Sequence, residues 1–184
     1  MVQVTNPLAN ASQRFLDSVA LVLNEEGAAY TNRPSDGPTK WGVTLDALSQ
    51  YRSIRCTALD VQALTRSDAT AIYLALYWLA MRCDELPAGL DLMVFDCGVN
   101  QGQPTSIRLL QQAVGTHPVD GRIGPKTLAA AHSHDVAALI REMAALRLAR
   151  YRATSGAGTD LAGWTNRLNT VTATALASLE TIKS

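Results

Sequence analysis

The sequence predicts a mainly α-helical protein with one short β-hairpin. Apolar residues recur at helical spacing along most of the 184 residues, whereas only residues 30–44 combine strand-like stretches with turn-forming Pro and Gly. Apolar side chains make up 47% of the chain, which excludes a disordered protein and provides for a substantial core. One domain, or one domain with two lobes, is therefore expected.

The first helix follows a predicted loose arm over residues 1–11. Ser12 is suited to cap this helix, because its hydroxyl can accept a hydrogen bond from the first turn. Apolar side chains recur along one face at Phe15, Leu16, Val19, Val22 and Leu23. The helix should end at Glu25 and Glu26, since Gly27 breaks the pattern.

A polar loop follows the first helix, and residues 39–44 after it are short enough for one strand of a hairpin. Glu26 would therefore stand at a helix end facing a loop that returns a carboxylate, a hydroxyl and an indole, those of Asp36, Thr39 and Trp41. A proton-donating carboxyl group needs such a place, which is partly shielded from water yet open to a substrate. Glu25 points to another side of the helix and is expected to be a surface charge.

Helical patterns continue to the C-terminal end of the chain. Thr44 and Thr65 are expected to cap helices, and the helix after Thr65 carries Ile72, Leu76 and Leu79 on its apolar face. Residues 90–99 are apolar on nearly all sides, which predicts the buried centre of a helical domain. Further helices are expected over residues 105–114, 126–131, 135–152 and 164–182.

Composition excludes several classes of function. Lys plus Arg equals Asp plus Glu at 16 each, so no basic field favours nucleic acid or an anionic membrane. The three cysteines are expected to be buried reduced thiols, and neither they nor the three histidines are spaced as a metal site. We therefore expect no metal, no cofactor and no nucleic-acid partner. The N-terminal residues lack the basic start of a Sec signal, and no apolar run is long enough to span a membrane.

The stretch from Glu26 to Thr44 resembles the signature of the glycoside hydrolase family 108 muramidases. The shared residues are Glu26-Gly27, Tyr30, Asp36-Gly37, Thr39 and Gly42-Val43-Thr44. The chain departs from the family pattern in two places. The second Gly of Glu-Gly-Gly-Tyr is Ala28, with Ala29 added before the Tyr, and the Asp-Pro-Gly-Gly loop is shortened to Asp36-Gly37-Pro38.

A second resemblance covers the C-terminal half, which looks like the predicted peptidoglycan-binding region that accompanies family 108 catalytic segments. The residues that carry it are Tyr77-Trp78, Leu86-Pro87, Phe95-Asp96, Val99-Asn100-x-Gly102, Leu110-Gln111 and Asp120-Gly121-x-x-Gly124-Pro125-x-Thr127-Leu128. The two resemblances imply a lysozyme-like fold, in which a small lobe with the hairpin and a larger helical lobe flank a cleft. The implied division is an arm (1–11), a catalytic segment (12–88) and a helical lobe with the peptidoglycan-binding region (89–184), the last two forming one compact unit.

The resemblance also implies an activity. It is that of an N-acetylmuramidase, which cleaves the β-1,4 bond between N-acetylmuramic acid and N-acetylglucosamine in bacterial peptidoglycan. Glu26 would be the general acid, because a glycosidic oxygen leaves poorly until it is protonated. Asp36 and Thr39 could orient or deprotonate the attacking water. Asp36 could equally cap its own turn, as Asp before Gly often does.

Candidate substrate contacts lie in both halves of the chain. Tyr30 and Trp41 could stack on sugar faces, and Asn100 and Gln101 could hydrogen-bond acetamido groups. Asn100 could instead end the central helix. Tyr77-Trp78 could also stack on sugars, although aromatics at helical spacing more often belong to a core. The Asp120–Gly124 segment could be a wall-binding element or only a tight turn.

Three other functions stay open. A lytic transglycosylase also uses a single Glu but lets the substrate's own hydroxyl attack. A non-catalytic wall-binding protein and a secretion accessory protein are the alternatives outside catalysis.

Family 108 includes phage and prophage endolysins and muramidases that assist secretion, so a holin or a secretion system is the expected means of export. The protein is expected to be made in the cytoplasm and to act as a monomer on the cell wall, in the periplasm, after release.

Overall fold

The computed structural model describes residues 7–34, 37–154 and 160–181. Within these ranges the chain forms nine α-helices and a three-stranded antiparallel sheet. The predicted mainly α-helical class is confirmed, and the sheet extends the predicted hairpin by one strand. The chain divides into two compact units, Met1–Ala80 and Met81–Ser184. The functional boundaries at residues 11 and 88 stay predictions.

The first unit begins with helix α1 (Gln13–Glu26), which ends at the predicted residue. Ser12 caps α1 as predicted, because its hydroxyl accepts a hydrogen bond from Phe15 N at 3.3 Å. The buried face comprises Phe15, Val19, Val22 and Leu23. Leu16 is 36% exposed, so its predicted place on this face is wrong, since it lies roughly 100° around the helix from Phe15.

The sheet consists of β1 (Thr31–Arg33), β2 (Gly37–Lys40) and β3 (Val43–Thr44) in sequential order. Residues 31 and 44 both lie opposite Thr39, so three threonine side chains share one face of the sheet. Trp41 and Gly42 join β2 to β3 as a two-residue turn, with φ values of +54° and +71°. Positive φ at both positions is typical of a type I′ hairpin turn, whose twist matches that of the strands.

Helices α2 (Leu45–Arg52), α3 (Ala58–Gln62) and α4 (Arg66–Tyr73) complete the regular helices of this unit. Thr44 and Thr65 cap α2 and α4 as predicted. The Thr65 hydroxyl and the Asp68 carboxylate form a full capping box, and a second capping box, which the sequence analysis did not identify, begins α3.

A π-helical segment (Leu74–Leu79) continues α4 and changes which side chains face the core. Trp78 is fully buried and packs edge-on against Phe15, with ring centroids 5.5 Å apart. Leu79 is 54% exposed. The predicted apolar face assumed a regular period of 3.6 residues, and the wider π turn makes that prediction wrong at Leu79.

Helix α5 (Leu90–Gln101) is the centre of the second unit, and it is buried from Leu90 to Gly98, as predicted. A 3₁₀ turn (Cys83–Glu85) precedes it. Helices α6, α8 and α9 pack directly on α5, and α7 packs on α8. The bounds of the surrounding helices are α6 (Gln103–Ala113), α7 (Pro125–Ser133), α8 (Val136–Thr154) and α9 (Leu161–Thr181).

A charged cluster lies inside the second unit. Asp96 of α5 accepts hydrogen bonds from Arg147 Nη2 of α8 at 2.6 Å and from Arg167 Nε of α9 at 2.8 Å. Neither Asp96 nor Arg147 is exposed. Burial opposes the charge on Arg147, but Asp96, Cys97 and Tyr151 together outweigh this effect, and the pKa of the guanidinium is raised. The cluster therefore ties three helices together through charges that depend on one another.

The described residues contain neither a candidate metal cluster nor a helix suited to cross a membrane. Within residues 7–34, 37–154 and 160–181, His, Cys, Asp and Glu side chains do not gather in groups of three or more that could hold a metal ion. None of the helices in these ranges has the length and apolar character needed to cross a bilayer. The three cysteines, Cys56, Cys83 and Cys97, are free and buried, as predicted.

Candidate active site

Glu26 is the last residue of α1, and its half-buried side chain lies against the Trp41–Gly42 turn. A Cβ atom added at Gly42 would stand 2.8 Å from Glu26 Cγ and 3.0 Å from Glu26 Cδ, and it would also meet the Tyr73 hydroxyl. Contacts this close would force these groups to shift, so only glycine leaves room for the Glu26 side chain here. The positive φ of Gly42 is a second reason for glycine.

Tyr73 fixes the position of this turn from α4. Its side chain is 1% exposed, and its hydroxyl donates a hydrogen bond to the Trp41 carbonyl oxygen at 3.1 Å. Because this bond joins the helix to the hairpin, one buried side chain holds the backbone of the turn against which Glu26 lies. The sequence analysis did not connect Tyr73 with Glu26.

Tyr77 places a second phenol near Glu26. Its ring packs on that of Tyr73, with centroids 5.4 Å apart. Burial raises the pKa of Tyr77, and the negative charge of Glu26 raises it further. Tyr77 is therefore neutral, and able to donate a hydrogen bond, over the whole pH range in which a carboxyl group titrates. The sequence analysis considered Tyr77 only as an aromatic that could stack on a sugar.

The other residues predicted for this unit lie in or beside the sheet. Trp41 is half-buried in the turn that contacts Glu26, and Tyr30 is half-buried just before β1. Thr39 lies in β2, where its hydroxyl makes a long hydrogen bond of 3.5 Å to the Gly37 carbonyl oxygen. Asp36 lies outside the described residues, so its role as the second carboxylate stays a prediction.

Asn100 and Gln101 line a pocket of about 290 Å³ at the C-terminal end of α5, within the second unit. Tyr151 and Trp164 form an aromatic wall, with ring centroids 5.2 Å apart. Arg150 and Thr154 also contribute to the lining. Helix α5 runs to Gln101 and is capped by Gly102, so the alternative role of Asn100 as a helix end is wrong.

A chain of hydrogen bonds orients the Asn100 amide. Its Oδ1 accepts a hydrogen bond from the Tyr151 hydroxyl at 2.6 Å, and that hydroxyl in turn accepts one from Arg147 Nη2 at 3.4 Å. With Oδ1 occupied, Nδ2 is left as the donor side of the amide. Gln101 Oε1 accepts from Cys97 Sγ at 3.5 Å, and its buried Nε2 lacks a partner among the described residues. The pocket thus offers the Asn100 Nδ2 donor, which is suited to a carbonyl oxygen.

Two known families match the chain, in the same order as the two motif sets identified in the sequence. Residues 19–102 match the family Glycosyl hydrolase 108, and residues 105–169 match the Predicted Peptidoglycan domain. Glu26 lies in the first match and the Asp120–Leu128 segment in the second. A comparison with curated protein sequences finds no match.

A solved structure of SagA from Brucella abortus is similar to this chain along nearly its whole length. The sequences are 35% identical, and the superposition covers 89% of this chain and 94% of SagA with a TM-score of 0.81. The lysozyme-like, mainly α-helical fold is thereby confirmed. Since family match and structural similarity agree, the chain belongs to the glycosyl hydrolase 108 family and is a glycoside hydrolase that acts on peptidoglycan.

Proposed function

We propose that the protein is an N-acetylmuramidase with Glu26 as its general acid, cleaving the β-1,4 bond between N-acetylmuramic acid and N-acetylglucosamine. The observation that carries this proposal is the placement of Glu26 on the Gly42 turn. The turn shields one side of the carboxyl group, and half-burial leaves the rest open to a substrate. A glycine whose missing side chain makes room for a carboxyl group favours an enzyme over a non-catalytic wall-binding protein.

In this mechanism Glu26 donates its proton to the bridging oxygen as the glycosidic bond breaks. The transition state then has oxocarbenium character, and Glu26 is left as a carboxylate. Tyr77 lies close enough for the Glu26 charge to act on it and remains protonated. Its hydroxyl would therefore stabilise the carboxylate that Glu26 becomes.

Water completes the reaction from the hairpin side. Asp36 and Thr39 are the groups proposed to hold or deprotonate it. The Thr39 hydrogen bond to Gly37 is long, so its hydroxyl can turn toward water at little cost. Direct attack by this water would invert the configuration at the anomeric carbon and leave a reducing N-acetylmuramic acid end.

Sugar contacts are proposed in both units. Trp41 lies in the turn that contacts Glu26 and would offer an indole face to a sugar ring, with Tyr30 as a second aromatic contact. In the second unit, Asn100 and Gln101 would donate hydrogen bonds to acetamido carbonyl oxygens. Removing either amide should weaken the binding of N-acetylated glycan more than that of a de-N-acetylated one.

Mass spectrometry of the muropeptides released from purified sacculi tests this function. A muramidase leaves reducing N-acetylmuramic acid ends. A lytic transglycosylase leaves anhydro ends that are short by one water, and a wall-binding protein releases nothing. Mostly anhydro products would overturn the hydrolytic step while leaving Glu26 as the acid.

Peptidoglycan lies outside the cytoplasmic membrane, so the protein has to reach it. We propose that it acts there as a monomer after a holin or a secretion system releases it. A holin gene beside its own gene would favour a role in phage lysis, and a neighbouring secretion operon would favour a role in secretion.

A further inference from the structure

A second pocket, of about 390 Å³, opens in the second unit at the N-terminus of α7. Its lining contains none of the residues assigned above to catalysis or sugar binding. The polar and charged residues that line it are Gln111, Thr116, His117, Asp120, Arg122, Lys126 and Thr127. The rim is the Asp120–Thr127 segment, and its first part, Asp120–Gly124, was left by the sequence analysis as either a wall-binding element or a tight turn.

Gln111 of α6 holds the rim in place. It is 2% exposed, and its Nε2 donates to Asp120 Oδ1 at 2.7 Å and to the Arg122 carbonyl oxygen at 3.0 Å. Its Oε1 accepts from Gly121 N at 2.9 Å. The Gln111 hydrogen bond and that from Arg122 N hold the pKa of Asp120 below its usual value. The rim is therefore preformed, and Asp120 Oδ1 is occupied within it.

Helix α7 starts at this rim without a side-chain cap, because Gly124 precedes Pro125. The first backbone bond of the helix runs from Leu128 N to Gly124 O at 3.1 Å. The N–H groups of Lys126 and Thr127 therefore stand at an uncapped helix start, where backbone N–H groups and the helix dipole favour an anion.

Thr127 is an independent sign that the pocket takes a ligand. Its side chain is 3% exposed and lines the pocket, yet its hydroxyl has no hydrogen-bond partner in the part of the chain that the structure describes. A hydroxyl group that belongs to a buried residue, lines a pocket and makes no hydrogen bond within the described residues is available to a ligand atom. Lys126 and Arg122 add two cationic side chains, against the single carboxylate of Asp120.

We propose that this pocket binds a carboxylate of the peptide stem of peptidoglycan. The Thr127 hydroxyl, the two helix N–H groups and the Lys126 ammonium are the donors, and the rings of Pro118 and Pro125 supply apolar surface for short side chains. The identity of this ligand rests on the proposed function. A phosphate group is also an anion, so the test must distinguish a peptide carboxylate from phosphate.

The test uses the full chain, labelled with ¹⁵N. The probe is the tripeptide L-alanyl-γ-D-glutamyl-meso-diaminopimelate. We expect it to shift the Lys126 and Thr127 amide signals saturably, whereas the same peptide with its carboxyl groups converted to amides should not. Thr127→Val and Lys126→Gln should each weaken binding about tenfold, since each removes one hydrogen bond to a charged group. Arg141→Gln, an exposed cation on α8 outside this pocket, should leave the affinity unchanged.

Two results would overturn the inference: no shift with the tripeptide, or shifts with inorganic phosphate only. Thr127→Val nearly preserves volume, and Lys126→Gln alters an exposed side chain, so unchanged signals elsewhere will show that both variants fold. Digestion of sacculi by the unmodified chain separates the two proposals. If the sacculi are digested but the tripeptide does not bind, only this inference is contradicted. If the tripeptide binds but the sacculi are not digested, only the proposed enzymatic function is contradicted.

Discussion

Gly42→Ala is the sharpest test of the active-site geometry, because the added methyl group meets Glu26 and Tyr73 directly. The new Cβ would stand 2.8 Å from Glu26 Cγ and close to the Tyr73 hydroxyl, so at least one of these groups must move. A φ of +71° costs an alanine about 1–2 kcal/mol. Overpacking adds about 1–3 kcal/mol. We therefore expect the free energy of unfolding to fall by about 2–5 kcal/mol.

Gly115→Ala is the matched control. Gly115 has nearly the same φ, +66°, but nothing lies within 4 Å of an added Cβ. Only the backbone term of about 1–2 kcal/mol should appear there, and activity should be unchanged. In Gly42→Ala, a displacement of the Glu26 carboxyl group by about 1 Å should lower the rate about a hundredfold.

Urea unfolding and the rate of dye release from labelled sacculi measure the two effects. Activity is compared without urea, at a temperature at which both variants are folded. Full activity in Gly42→Ala, with a stability loss no larger than that of Gly115→Ala, would refute the claim that Gly42 makes room for Glu26.

Three further predictions concern Glu26, Asp36 and the buried charges. Glu26→Gln should keep the fold, shown by an unchanged unfolding transition, and lower sacculus digestion about a hundredfold or more, because an amide cannot donate the proton; a folded, fully active variant would remove Glu26 from its role. Asp36→Asn should reduce the same digestion rate less than Glu26→Gln does, and an equal, complete loss would make Asp36 the essential base. Arg147→Met should lower the free energy of unfolding by about 3–5 kcal/mol, because it leaves Asp96 buried beside a single arginine; Arg141→Met, on the exposed side of α8, should change it little.

Local signals allowed the position of Glu26 to be predicted. Ser12 and Gly27 mark the two ends of α1 within the sequence itself, so the last residue of the helix needed no knowledge of the rest of the fold. The same holds for Thr44 and Thr65, whose side chains cap the helices that follow them.

The partners of Glu26 could not be found in this way. Tyr73 bonds to Trp41 across 32 residues, and its position in an apolar helix indicates only a core residue. Tyr77 lies in a π-helical segment, where a regular helical period assigns side chains to the wrong face. Long-range contacts and a local change of helix type are both set by tertiary packing, which no short stretch of sequence contains.

If Trp41 contacts a sugar as proposed, its left-handed conformation places activity and folding stability in opposition. Asn and Gly are the residues that favour a first turn position with φ near +54°, whereas a bulky aromatic is disfavoured there. A variant selected only for thermal stability would therefore tend to replace this indole with Asn. Such a protein would gain a better hairpin and lose the indole of the turn that contacts Glu26, so thermostability screens of this enzyme should be paired with digestion assays.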